Sequence, residues 1–83
     1  MASHAKYSLD ARIVDNRLRE FGKDYQFYNK EPSVALKAFN NYLSECGFQI
    51  IGSKTFNAAL IRVFGLAAVL VTVNGKCVRR LRS

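Results

Sequence analysis

The stretch "VLVTVNGKCVRR", residues 69–80, constrains this chain more than any other. Asn-Gly between two β-branched runs is the strongest short signal for a two-residue type I′ hairpin, because both turn positions need positive φ. With Asn74 and Gly75 in the turn, Val73 faces Lys76, Thr72 faces Cys77, Val71 faces Val78, Leu70 faces Arg79 and Val69 faces Arg80. Both hairpin faces are then apolar in the middle and basic toward the C-terminal end. One covers a core; the other projects Lys76, Arg80 and Arg82, or else Arg79.

The residues before the hairpin follow a helical rather than a two-residue period. In "SKTFNAALIRVFG" (53–65), Phe56, Ala59, Leu60, Val63 and Phe64 share one face, with Ser53 as the expected N-cap and Gly65 as the stop. The opposite face carries Lys54, Ala58, Ile61 and Arg62. A longer helix is expected from Pro32 or Ser33 to about Cys46, with Ala35, Leu36, Phe39, Tyr42, Leu43 and Cys46 inward. Gly47 is its expected C-cap, Phe48 packs back on the last turn, and "QIIG" forms a short strand or turn. A first helix is expected between Ser8 as N-cap and Gly22, with Asp10 in its first turn. Its inward face is Ala11, Val14, Leu18 and Phe21; Leu9 and Ile13 form a second patch, covered by residues 23–30 or open to a partner. Residues 1–7 read as a flexible start.

"KDYQFYNKEP" has three aromatics, no helical period, and a proline that restricts what precedes it. An extended connection follows, with Tyr25, Phe27 or Tyr28 either packed on the core or free to stack on bases.

At 83 residues the chain holds one domain, and 49% hydrophobic residues are enough to fill its core without a metal or disulfide. Cys46 and Cys77 have no metal-ligand spacing and sit in apolar patterns, so they are expected as buried free thiols in a reducing compartment. The longest nearly apolar run, Val63 to Val73, is too short for a membrane helix, and the first residues have no long apolar segment typical of a secretion signal. An intracellular protein of cytoplasm or nucleus, without membrane or cofactor, is expected.

The formal net charge of +7 concerns partners rather than fold. Residues 31–83 hold seven Lys or Arg against only Glu31 and Glu45, so a polyanion should meet the second half. The single histidine, His4, lies in the expected tail, and no acidic pair, glycine-rich phosphate loop or ligand cluster points to an enzyme.

Three helices followed by a hairpin make an α+β, winged helix-turn-helix order over residues 8–83. The span Val34 to Arg82, "VALKAFNNYLSECG...SKTFNAALIRVFG...VNGKCVRRLR", resembles winged-helix domains of the regulatory factor X type. It is also similar to the DNA-binding domains at the C-termini of phage, plasmid and poxvirus-type primase-helicases. Phe39, Tyr42 and Cys46 match the second helix; Ser53, Phe56, Leu60, Ile61 and Phe64 match the third; Gly75, Lys76 and Leu81-Arg82 match the wing. Arg79-Arg80 stands where those families usually place an aromatic and glycine.

The resemblance implies double-stranded DNA binding, with helix three in the major groove and the wing on phosphate, minor groove or bases. A regulator or the DNA-engaging part of a replication assembly is the implied role. Lys54, Asn57 and Arg62 are the candidates on the helix, where Asn57 suits adenine and Arg62 guanine. Lys76, Arg79, Arg80 and Arg82 are the candidates on the wing, mainly as phosphate contacts. Phosphate can also meet the free amides at Ser33 and Ser53. The alternatives are a protein-interaction or dimerisation module, using Ile61 and the apolar hairpin face, and binding of RNA or single-stranded DNA. The hairpin cations also have a plain structural use, which is to keep a sheet edge from pairing.

Overall fold

The computed structural model describes residues 10–83. The expected tail at 1–7, with His4, and the expected roles of Ser8 and Leu9 lie outside these residues. Helices α1 (Ala11–Gly22), α2 (Pro32–Glu45) and α3 (Ser53–Phe64) precede strands β1 (Ala67–Val73) and β2 (Lys76–Arg82). The topology is that of an α+β winged helix.

The first helix starts later than its sequence suggested. Asp10 is the N-cap, its carboxylate accepting from the Ile13 N–H at 2.9 Å, so it caps the helix instead of lying within the first turn. Gly22 ends α1 without a positive φ, and Lys23 caps it in the right-handed region. What Gly22 supplies is space: a Cβ there would lie 2.5 Å from Cζ of Phe64, whose ring sits over the end of α1.

Pro32 opens α2 at a position where a missing N–H costs nothing. At its other end Gly47 takes φ +86, and Phe48 N–H reaches back to Leu43 O at 2.9 Å while Gly47 N–H meets Ser44 O at 3.1 Å. This paired closure satisfies the last carbonyls of the helix and turns Phe48 toward the core. The following residues form no regular strand. Instead the Asn40 side chain plays the part of a strand, accepting from Ile51 N–H at 2.9 Å and donating to Ile51 O at 3.0 Å. Those two bonds fix the turn from which α3 departs. Gly52, not Ser53, is the N-cap of α3, in extended backbone and with no side-chain bond. Gly65, at φ +68, closes α3 by donating to Ile61 O.

One core joins all elements: Val14 and Leu18 of α1, Ala35, Phe39 and Leu43 of α2, Phe56, Ala59 and Leu60 of α3, then Phe27, Leu66 and Leu81. The aromatics of the α1–α2 connection belong to it. Phe27 is buried, with its ring 6.0 Å from Phe56 and 5.6 Å from Phe64, and Tyr25 stacks on Phe21 at 4.9 Å. Packing, not base stacking, takes up Tyr25 and Phe27, while Tyr28 stays exposed.

The hairpin has the expected register throughout, from Val73↔Lys76 to Val69↔Arg80, and continues to Ala67↔Arg82. Asn74 and Gly75 both have positive φ, 53° and 79°. Only its base is anchored. Leu81 is fully buried, and it exchanges backbone bonds with the α1–α2 connection: Asn29 N–H to Leu81 O at 2.7 Å and Leu81 N–H to Lys30 O at 2.9 Å. The rest projects, so the alternation that predicted buried residues along the strands does not produce them. Cys77 is therefore exposed near the tip, and Cys46 is exposed because α2 ends beneath it. The expectation of two buried thiols is corrected on both counts.

Candidate nucleic-acid interface

Helix α3 determines what the molecule can present beside the hairpin. Burying Phe56, Ala59 and Leu60 leaves Lys54, Ala58 and the exposed Ile61 at the centre of the opposite face. The two flanks are used differently. Thr55 and Arg62 border a groove against α1, with Asp10, Ala11 and Val14 on its far side. Ser53 and Asn57 border a cleft against α2 and the hairpin.

Arg62 is held by a partner. Its Nε donates to Asp15 Oδ2 at 3.1 Å and its Nη2 to Asp15 Oδ1 at 2.9 Å, a two-pronged pair between α3 and α1. Hydrogen bonding to that carboxylate, aided by its charge and opposed by slight desolvation, holds the guanidinium protonated even more firmly than usual. Lys54, by contrast, is exposed and has no hydrogen bond or ion pair among the described residues.

The cleft on the other flank has a volume of about 450 Å³ and gathers three elements. Pro32 and Ser33 begin α2, Ser53 and Asn57 begin α3, and Ala68 and Arg79 come from the hairpin. Neither helix has a side-chain cap or an acidic residue in its first turn. The amides of Ser33, Val34, Ser53, Lys54 and Thr55 precede the first intrahelical donors, Ala35 and Phe56, so they remain for a ligand or water. Both helix dipoles place partial positive charge here. Arg79 adds a full charge, with a guanidinium that has no partner among the described residues. Glu31, at the cap of α2, is the one acid on the rim. Asn57 is half-buried, and its Oδ1 is enclosed with no hydrogen-bond partner among the described residues.

The remaining wing candidates occupy the other hairpin face, because register puts Lys76, Arg80 and Arg82 together with Val69, Val71 and Val78. Lys76 is exposed at the tip, and Arg80 donates to the carbonyl of Arg79 at 3.1 Å. Arg82 is a brace: Nε and Nη2 reach Asn29 Oδ1 at 3.0 and 2.8 Å, and the guanidinium lies 5.6 Å from the centre of the Tyr28 ring. Asn29 itself sits at φ +67 in a turn closed by Lys30 N–H to Phe27 O, a position that suits asparagine.

The seven candidate residues thus fall into three groups. Lys54 and Arg62 share the α1–α3 groove, Asn57 and Arg79 the cleft, and Lys76, Arg80 and Arg82 the far face of the wing. Asp15 and Asn29, which hold two of the arginines, carried no local signal, since each lies far along the chain from its partner.

Among the described residues no group of three or more His, Cys, Asp or Glu is placed to hold a metal ion, and no helix is long and apolar enough to cross a membrane. No family model, curated protein or solved structure matches the chain. The winged-helix assignment therefore stands on element order, register and packing.

Proposed function

We propose that this domain binds double-stranded DNA, mainly through phosphate, with the α2–α3–wing cleft as the centre of the contact. The observation that carries the reading is the convergence, on one open cleft, of two helix N-termini without side-chain caps and of Arg79, whose guanidinium has no partner among the described residues. Lys54 extends the positive surface across α3 into the α1–α3 groove, and neither α3 nor the hairpin contains an acidic residue. In this reading Lys54, Lys76, Arg79 and Arg80 meet the polyanion, Asn57 lines the cleft, and Arg62 and Arg82 chiefly brace the elements that carry the others. Ala58, Ile61 and a single lysine on the outer face of α3 give little base-reading chemistry, so weak sequence preference is expected. Service as a regulator or within a replication assembly is the role implied by the resemblance to factor X-type and primase-helicase domains.

Fluorescence anisotropy with a random-sequence duplex, its single strand and the matching RNA, at several salt concentrations, tests this. Duplex binding that falls steeply with salt and weakens in Arg79→Ala/Arg80→Ala is the expected result. Absence of binding to all three at low salt would remove the nucleic-acid reading, and preference for either single strand would replace duplex by that ligand.

A further inference from the structure

We infer that an aromatic pocket at the base of the wing is a nucleic-acid site distinct from the cleft, one that takes an unstacked base of a single strand. No residue of this pocket lines the α2–α3–wing cleft, so the inference does not rest on the duplex reading. The pocket has a volume of about 300 Å³ and lies between the α1–α2 connection and the end of α3. Phe27 and Leu66, both buried, form its floor, while Tyr28 and Phe64 are exposed rings of its wall. Phe64 stands there because its ring packs 5.6 Å from that of Phe27 and because Gly22, with no Cβ, leaves room for it.

Three chemistries meet at this pocket. The exposed rings offer a flat apolar surface on which any base can stack. Gln26, also in the wall, is exposed and has no side-chain hydrogen bond among the described residues. Its carboxamide presents a donor and an acceptor together, the complement of a base edge. Two cations lie against the tyrosines: Lys30 Nζ is 5.6 Å from the centre of the Tyr25 ring, and the Arg82 guanidinium is 5.6 Å from that of Tyr28. Asn29 takes Nε and Nη2 of Arg82, which leaves Nη1 for a phosphate, and Lys30 has no ion pair among the described residues. No carboxylate among the described residues lines the pocket; Asp24, next to Tyr25 in the chain, is exposed outside it.

Stacking surface, base-edge amide and cations together select a nucleotide as the occupant. An apolar side chain would leave the amide and the cations unused, and an acidic one would leave the rings unused. A duplex does not fit, since its bases are stacked inward and only an unstacked base can enter a pocket. The wing points to a strand rather than a free nucleotide. Arg80 and Lys76 lie on the same face of β2 as Arg82, so the positive charge continues from the pocket toward the wing tip for about 20 Å. A strand with one base in the pocket can lay its phosphates along that row; a single nucleotide cannot.

The test uses the whole protein and a short oligomer of abasic deoxyribose phosphates that carries one base, the fluorescent purine 2-aminopurine. Binding at low salt should quench that fluorescence as the base stacks. On the unaltered protein, the same oligomer without the base should bind roughly 5- to 150-fold more weakly, the loss expected for one base–aromatic stack. Tyr28→Leu should weaken the base-carrying oligomer by a similar factor and abolish the quench, whereas Tyr28→Phe, which keeps the ring, should retain both. Arg79→Ala should leave single-strand binding as it was. Duplex anisotropy, expected to fall in Arg79→Ala and not in Tyr28→Leu, separates failure of this site from failure of the cleft. No binding of the oligomer, equal binding with and without the base, or an unchanged fluorescence would overturn the proposal. So would single-strand binding that survives Tyr28→Leu or is lost in Arg79→Ala.

Discussion

Arg62 and Asp15 form a two-pronged ion pair, at 3.1 and 2.9 Å, that fastens the end of α3 to the middle of α1. A cation on the helix expected to face DNA is thereby committed to the protein's own architecture. Asp15→Asn should release it. Duplex binding would then tighten, and the plot of log affinity against log salt would steepen by about 0.9, the share of one added phosphate contact. Arg62→Ala should leave that slope unchanged. A slope that falls in Arg62→Ala would show that Arg62 leaves Asp15 for DNA in the unaltered protein.

Gly22 and Phe64 are coupled through space. Alanine at a helical glycine ordinarily gains about 0.5–1 kcal/mol, but here its Cβ would displace the Phe64 ring from its place beside Phe27. Gly22→Ala is therefore expected to give no gain alone and the usual gain in a Phe64→Ala background. Denaturant unfolding of the four proteins in a double-mutant cycle measures this coupling; equal gains in both backgrounds would contradict it.

Leu81 is where the wing, the α1–α2 connection and the core meet. Leu81→Ala should cost about 2–5 kcal/mol of stability and loosen the hairpin, seen as faster exchange at Asn29 as well as at β2. Arg79→Ala, one turn of the pleat outward and exposed, should change stability by no more than about 0.5 kcal/mol.

Burial pushes the pKa of the Tyr42 phenol above its usual 10.0, with Cys46 adding to the shift and Arg17, whose Nη1 donates to the hydroxyl at 3.3 Å, opposing it. The folded state therefore keeps this proton after the unfolded chain has lost it. Tyr42 contributes its stabilisation fully below about pH 10 and loses it as pH rises through the raised value. Tyr42→Phe should flatten the alkaline loss of stability, and Arg17→Ala should move the tyrosinate absorbance of Tyr42 to higher pH.

Local signals were legible in the sequence, and long-range pairings were not. Asn74-Gly75 specified the turn and the whole hairpin register, because turn chemistry and a two-residue period act over a few residues. Helix periodicity likewise located Phe39, Leu43, Phe56 and Leu60 in the core. Periodicity could not show where the core ends, which is why Cys46 and Cys77 were expected inside. Gly22 carried the right residue type for a helix stop but serves a ring 42 positions away. The candidate cations were all identifiable, yet their division into free and held depended on Asp15 and Asn29, which only tertiary packing brings to Arg62 and Arg82.

The most direct test of the central claim is a backbone amide chemical-shift map of the protein titrated with a random-sequence duplex at low salt. The largest displacements are predicted at Ser33, Val34, Ser53, Lys54, Thr55 and Arg79, around the α2–α3–wing cleft. Displacements confined to α1 or the β1 edge, or none at all, would contradict the assignment of this cleft as a DNA-binding surface.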